Sequence, residues 1–191
     1  MEIYIFFGPP GVGKGTQAKK FALKHEFKHI STGELLRQEM QAETELGRTA
    51  AQYINSGNLA PDNIVISIID EQLKDFADLP GFVFDGFPRT NAQAEALDQI
   101  TAREGKIIKA VFRLEANEPE LIQRLLKREK LEGRLDDTEE TIKNRLEIYE
   151  HLTKPVLDHY RAKGCLIEID GEGTVEEIET RIEQAYTELK K

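Results

Sequence analysis

Gly8-Pro9-Pro10-Gly11-Val12-Gly13-Lys14-Gly15-Thr16 follows the apolar run Ile3 to Phe7 and precedes a helix-like stretch. Where a strand stops at a glycine-rich turn and a helix begins, several backbone N–H groups converge on one spot. The helix dipole adds partial positive charge there. Lys14 then stands where it can reach the β- and γ-phosphates of a nucleotide. Gly8, four residues, Gly13-Lys14 is the spacing of a P-loop, but Gly15 comes next and the hydroxyl follows one later, at Thr16. Many P-loops carry a magnesium-binding Ser or Thr directly after the lysine. The competing reading, a glycine-rich turn that binds nothing, has to explain one lysine and four glycines between a strand and a helix.

Length and composition narrow the field. A chain of 191 residues suits one α/β domain with small insertions. Net charge −9 and a pI near 5.1 argue against a nucleic-acid surface, where a basic stripe is expected. Apolar runs are too short to span a bilayer, and the start lacks the cationic and small-residue features of a signal peptide, so the expectation is a cytoplasmic protein without a membrane partner. Lone Cys165 forms no internal disulfide and reads as a buried, inert thiol. His25, His29, His151 and His159 form no ligand-like cluster, so no zinc is expected.

Outward from the loop, strand-like segments occur at 2–7, 81–84, 107–114 and 165–169, with a short one near 27–30, and helical patterns separate them. That alternation implies a parallel sheet covered on both faces. Ser31-x-x-Glu34, Thr90-x-x-Gln93 and Thr174-x-x-Glu177 read as capping boxes, and Pro61 suits a first helical turn. The last helix places Val175, Ile178, Ile182, Ala185 and Leu189 on one face, and the long pattern after Asp137 uses Ile142, Leu146, Tyr149 and Val156. Pro155 should kink or end that pattern. Lys127 to Asp137 is densely charged and reads as a solvated loop or lid.

Three more stretches accompany the P-loop: Ser31-Thr32-Gly33-Glu34-Leu35-Leu36-Arg37, Asp85-Gly86-Phe87-Pro88-Arg89-Thr90, and Gly133-Arg134-Leu135-Asp136-Asp137 followed by Arg145. Together they make the chain resemble the adenylate kinases, from Ile3 to about Gly173. With five residues between Arg128 and Arg134, it is similar to the short-lid variety, which has no zinc-binding hairpin. The resemblance implies a single domain over 1–191, a P-loop NTPase-type parallel five-stranded sheet flanked by helices. It adds an AMP-binding insertion at about 31–60 and a short lid at about 127–137.

The resemblance also implies residue roles. Gly11, Val12, Gly13, Lys14, Gly15 and Thr16 would wrap the ATP phosphates, with Gly173 passing the ATP adenine. Thr32 and Gln93 would meet the adenine of AMP, although both also have capping duties that need no ligand. Arg37 and Arg89 would clamp the AMP phosphate, since guanidinium forks match phosphate oxygens bidentately. Asn58, Leu59 and Ala60 would line the AMP pocket on one side and Gly86, Phe87, Pro88 and Arg89 on the other. Arg128 would approach ATP from the lid, with Arg134 and Arg145 near the bridging phosphates and Arg124 a weaker candidate. Asp85 would orient Mg2+ through water, which fits the missing hydroxyl at Gly15.

The implied activity is Mg-dependent, reversible, in-line phosphoryl transfer, ATP plus AMP giving two ADP, by a monomer that maintains the adenine nucleotide pool. Within the class the rival is a UMP/CMP kinase, against which Thr32 and Thr90 follow the adenylate pattern. From another class the rival is a GTPase-like switch, but the chain has no NKxD-like motif.

Overall fold

The computed structural model describes residues 1–76, 79–132 and 138–191, the side chains of Glu129, Leu131 and Glu132 aside. Five parallel strands run β1 (Glu2–Phe7), β2 (Lys28–Ser31), β3 (Gly81–Asp85), β4 (Ile107–Glu115) and β5 (Leu166–Asp170), in the spatial order β2-β3-β1-β4-β5. Helices alternate with them: α1 (Lys14–Lys24), α2 (Thr32–Gln41), α3 (Glu45–Ile54), α4 (Asp62–Asp75), α5 (Asn91–Arg103), α6 (Glu118–Glu132), α7 (Glu139–Ile148), α8 (Val156–Ala162) and α9 (Val175–Glu188). The expected sheet is present. Its strands run one residue further than the apolar patterns at β2, β3, β4 and β5.

The strands read as unbroken apolar runs because both faces of the sheet are covered. Side-chain alternation divides β1 between two cores: Ile3, Ile5 and Phe7 pack with Ile69 and Leu73 of α4, Leu97 of α5 and Tyr160 of α8. Tyr4 and Phe6 pack instead with Phe21 of α1 and Ile178, Ile182 and Tyr186 of α9. Phe21 and Tyr186 meet edge-on, ring centres 5.1 Å apart. On α9 the apolar face differs from the periodicity: Val175 and Leu189 are exposed at 38% and 45%, and Tyr186 holds the buried place. The physical reason lies at the helix ends, which the described residues leave partly open to solvent.

Local signals set most boundaries. Thr174 and Glu177 form a reciprocal capping box. Ser31 and Thr90 accept from the amides of Glu34 and Gln93, but the Gln93 carboxamide turns to the Arg89 amide instead of its own cap. Pro61 is the residue before α4, one earlier than a first-turn position. Cys165 precedes β5 and is half-buried, its thiol 3.6 Å from the Tyr160 carbonyl. Before Pro155 the helix widens into a π turn over Tyr149–Thr153, with the Lys154 amide bonded to the Tyr149 carbonyl. None of the described helices is long and apolar enough to cross a membrane.

The sheet order creates a crevice. β1 lies between β3 and β4, so connections leave it in opposite directions and the carboxyl ends of the strands open onto a gap. Phe7 and Asp85 end their strands there.

Candidate active site

At the end of β1 the loop from Gly8 turns into α1, whose N-cap is Gly13 at φ +93° with no side-chain cap. The first-turn amides of α1 are therefore left for an anion. Lys14 folds back so that its Nζ donates to the Pro9 carbonyl at 3.2 Å. Burial pushes its ammonium down from the usual value to about 7; Asp85 opposes this, while Arg89, Arg145 and Arg128 repel it further. A buried lysine set among three arginines makes a site suited to a polyanion.

One space opens from this loop and a second lies beside it. The larger cleft is lined by Gly11, Gly13, Lys14, Gly15 and Thr16, by Arg37, Asp85, Gly86 and Arg89, and by Arg124, Arg128 and Arg145. The second pocket lies on the α2–α4 side and is lined by Thr32, Arg37, Asn58, Leu59, Ala60, Gly86, Arg89, Gln93 and Arg145. Between them, a recess bounded by Lys14, Leu59, Gly86, Phe87, Pro88, Arg89 and Arg145 completes the connection. Arg89 and Arg145 line all three spaces, and Lys14 lines two. Three cations thus stand where the cleft meets the second pocket.

Hydrogen bonds hold the second pocket in shape. Thr32 Oγ1 donates to the Gly86 carbonyl at 2.9 Å, and Arg89 Nε donates to the same oxygen at 2.9 Å. Gln93 is buried and tied at both ends: its Oε1 accepts from the Arg89 amide at 2.8 Å, and its Nε2 donates to Asp62 at 2.7 Å. Asp62 also accepts from Thr90 Oγ1 at 3.1 Å. Leu36, Ile54 and Val65 supply apolar walls suited to a base.

Among the described residues that line the cleft, Asp85 is a carboxylate set against the loop itself. Its Oδ2 accepts from Ser31 Oγ at 3.2 Å, and its Oδ1 is buried without a hydrogen bond from any described residue. A Cβ at position 15 would stand 3.0 Å from Oδ2, so the glycine after Lys14 makes room for this carboxylate. Those features fit a hydrated divalent cation better than direct ligation. Among the described residues no group of three His, Cys, Asp or Glu side chains is placed to hold a metal.

Some sequence candidates are committed to contacts within the protein, and others lie apart from the cleft. Val12 is buried and offers only backbone, its carbonyl accepting from Arg124 at 3.3 Å. Arg124 also donates to the Gly171 carbonyl at 3.2 Å and pairs with Glu120, so it staples the loop to the β5–α9 turn. Gly173, at φ +110°, is beyond the residues that line the cleft, close to Glu177. Phe87 is buried, its ring 5.8 Å from that of Phe84. Of the stretch 127–137 read as a loop or lid, Lys127 to Glu132 continue α6 as helix, and 133–137, with Arg134, Asp136 and Asp137, lie outside the described residues.

A family profile described as Adenylate kinase matches residues 6–165. The chain belongs to the adenylate kinase family. It is 44% identical to an adenylate kinase of Porphyromonas gingivalis over 98% of this chain and 96% of that one. It is 44% identical to one of Thermus thermophilus over 96% of each, and 45% identical to one of Prochlorococcus marinus over 95% and 96%. As an adenylate kinase the chain is an enzyme, a phosphotransferase, and none of these matches favours a UMP/CMP kinase.

For this adenylate kinase, sequence reasoning missed Ser31 as the partner of Asp85, Asp62 as the anchor of Gln93, and Leu36, Ile54 and Val65 as pocket walls. Ser31 had a signal, as the N-cap beside Thr32. The apolar walls had none, because a pocket leucine and a core leucine have the same periodicity.

Proposed function

We propose that the chain transfers the γ-phosphoryl group of ATP directly to AMP, giving two ADP, and runs equally in reverse. The observation that carries this reading is the position of Lys14, Arg89 and Arg145 at the junction of the P-loop cleft and the second pocket. ATP takes the P-loop side, its phosphates wrapped by the amides of residues 11–16. AMP takes the pocket of Thr32, Asn58, Leu59, Ala60 and Gln93, with Arg37 and Arg89 on its phosphate.

The chemistry needs cations and alignment more than bond-making help, because two polyanions must meet in line. The acceptor is a phosphate oxygen whose second pKa is about 6, so it is already deprotonated near neutrality and requires no general base. Lys14 follows the moving phosphoryl group, Arg145 and Arg128 neutralise the bridging oxygens, and the amides of α1 hold the product β-phosphate. When bound, Mg2+ supplies charge neutralisation and fixes phosphate orientation, and Asp85, acting through water, is the residue that fits it. No covalent phosphoenzyme forms. The insertion at 31–60 and the segment 127–137 close over AMP and ATP respectively, which excludes water as a competing acceptor. The enzyme works as a cytoplasmic monomer.

The test is ADP formation from ATP plus AMP against ATP alone, and against ATP with CMP, UMP or GMP. Equal rates with CMP or UMP would overturn the assignment of AMP, and radiolabel retained on the protein from ATP alone would overturn direct transfer.

A further inference from the structure

Ser56, Gly57 and Asn58 form the turn that leaves α3 and leads into the pocket wall Asn58-Leu59-Ala60. The Gly57 amide bonds to the Ile54 carbonyl at 2.9 Å and the Asn58 amide to the Tyr53 carbonyl at 3.0 Å, so α3 ends in a Schellman turn with Gly57 left-handed at φ +74°. Local structure alone thus shapes the turn, but it does not decide where the turn docks.

Docking is decided by α7. Asn144 Nδ2 donates to the Ser56 carbonyl at 2.7 Å and to Asn58 Oδ1 at 3.1 Å, using both of its protons on the one turn. Gly57 comes so close to α7 that a Cβ there would stand 3.0 Å from the Thr141 carbonyl and 3.1 Å from Cγ of Arg145. The next residue along α7 is Arg145, which lines both nucleotide spaces. One helix therefore presents a phosphate-facing guanidinium and a carboxamide clasp side by side.

We infer that Asn144 is a positioning residue: its carboxamide clasps the α3–α4 turn to α7, so that Asn58 to Ala60 and Arg145 are held as facing walls of the acceptor pocket. It touches neither nucleotide. This rests on the reading of that pocket as the AMP site. The clasp makes acceptor binding and the placement of Arg145 one event, because α7 cannot shift without moving the turn.

Three variants test it: Asn144→Ala, Asn144→Asp, which keeps the shape but loses both donors, and Gly57→Ala, which attacks the same contact from the other side. The expected result is a KM for AMP raised about tenfold in the Asn144 variants, as loss of two net hydrogen bonds implies, and raised also in Gly57→Ala, where the added Cβ pushes the turn away from α7. The KM for ATP stays within about twofold, since two net hydrogen bonds on the acceptor wall leave the donor side intact. Amide exchange of residues 55–60 in the nucleotide-free protein also quickens in the Asn144 variants. An Asn144→Asp enzyme with unchanged AMP KM overturns the inference, and so does a parallel rise in both KM values, which would mark general damage. If the wild-type enzyme makes no ADP from AMP, it is the assignment of the pocket that fails, and the exchange rates alone then uphold or refute the clasp.

Discussion

Lys14 should make nucleotide binding take up a proton, and pH is the perturbation that exposes it. Burial holds the free lysine at about 7. Bound phosphate supplies negative charge at the ammonium and returns the group to full protonation. With those two values, uptake on binding is about 0.1 proton at pH 6, about 0.5 at pH 7 and about 0.9 at pH 8. Affinity for ATP should then fall by close to tenfold per pH unit above 7, about 1.4 kcal/mol each. Working at pH 8 leaves the phosphates of the nucleotide already ionised, so their titration contributes little. Calorimetry at pH 8 in two buffers of different ionisation enthalpy measures the uptake directly, with Lys14→Met as the control that lacks it. The same shift has a consequence for stability. A lysine whose folded pKa lies below its unfolded value destabilises the fold when charged; the cost is fully present below pH 7 and fades as pH rises towards 10.5. Lys14→Met should therefore melt higher than wild type at pH 7, with the difference shrinking steadily from pH 7 upward and nearly gone by about pH 10.5. Zero uptake at pH 8, or the same uptake in Lys14→Met, would refute the burial argument.

Arg128→Ala should lower turnover by about two orders of magnitude while circular dichroism and melting stay as in wild type, since it removes a charge from the cleft and no core contact; a folded variant with an unchanged rate removes Arg128 from the site. Gly15→Ala sets two effects against each other: the helix gains up to about 1 kcal/mol, but the new Cβ presses on Asp85, so melting should hold or rise while turnover falls and more magnesium is needed. Undiminished turnover at low magnesium would show that Asp85 tolerates the contact. Tyr186→Ala should cost about 3–5 kcal/mol in urea unfolding, as for other large buried rings, whereas Leu189→Ala should cost under about 0.5 kcal/mol. Similar losses at the two positions would overturn the assignment of the buried face of α9.

The order of strands and helices, the glycine-rich turn into α1 and the arginines that line its cleft were legible in the sequence because each rests on a short-range cause. Strand and helix alternate in their apolar periods, Gly13 and Lys14 are neighbours along the chain, and Thr174 with Glu177 closes a cap within one turn. What the folded structure decided is long-range. Tyr186 rather than Leu189 packs against Phe21 because the sheet ends before the helix does. Arg124 fastens to carbonyls 112 and 47 residues away, so its charged sequence surroundings concealed a structural staple. Asp85 and Gly15 are 70 positions apart in the numbering, and only the sheet brings the carboxylate to where a missing Cβ admits it. Asn144 reads as one polar residue on a charged helix until the turn after α3 arrives beneath it. Periodicity reports which face of an element is dry, whereas which distant group meets that face is settled only when the whole chain packs.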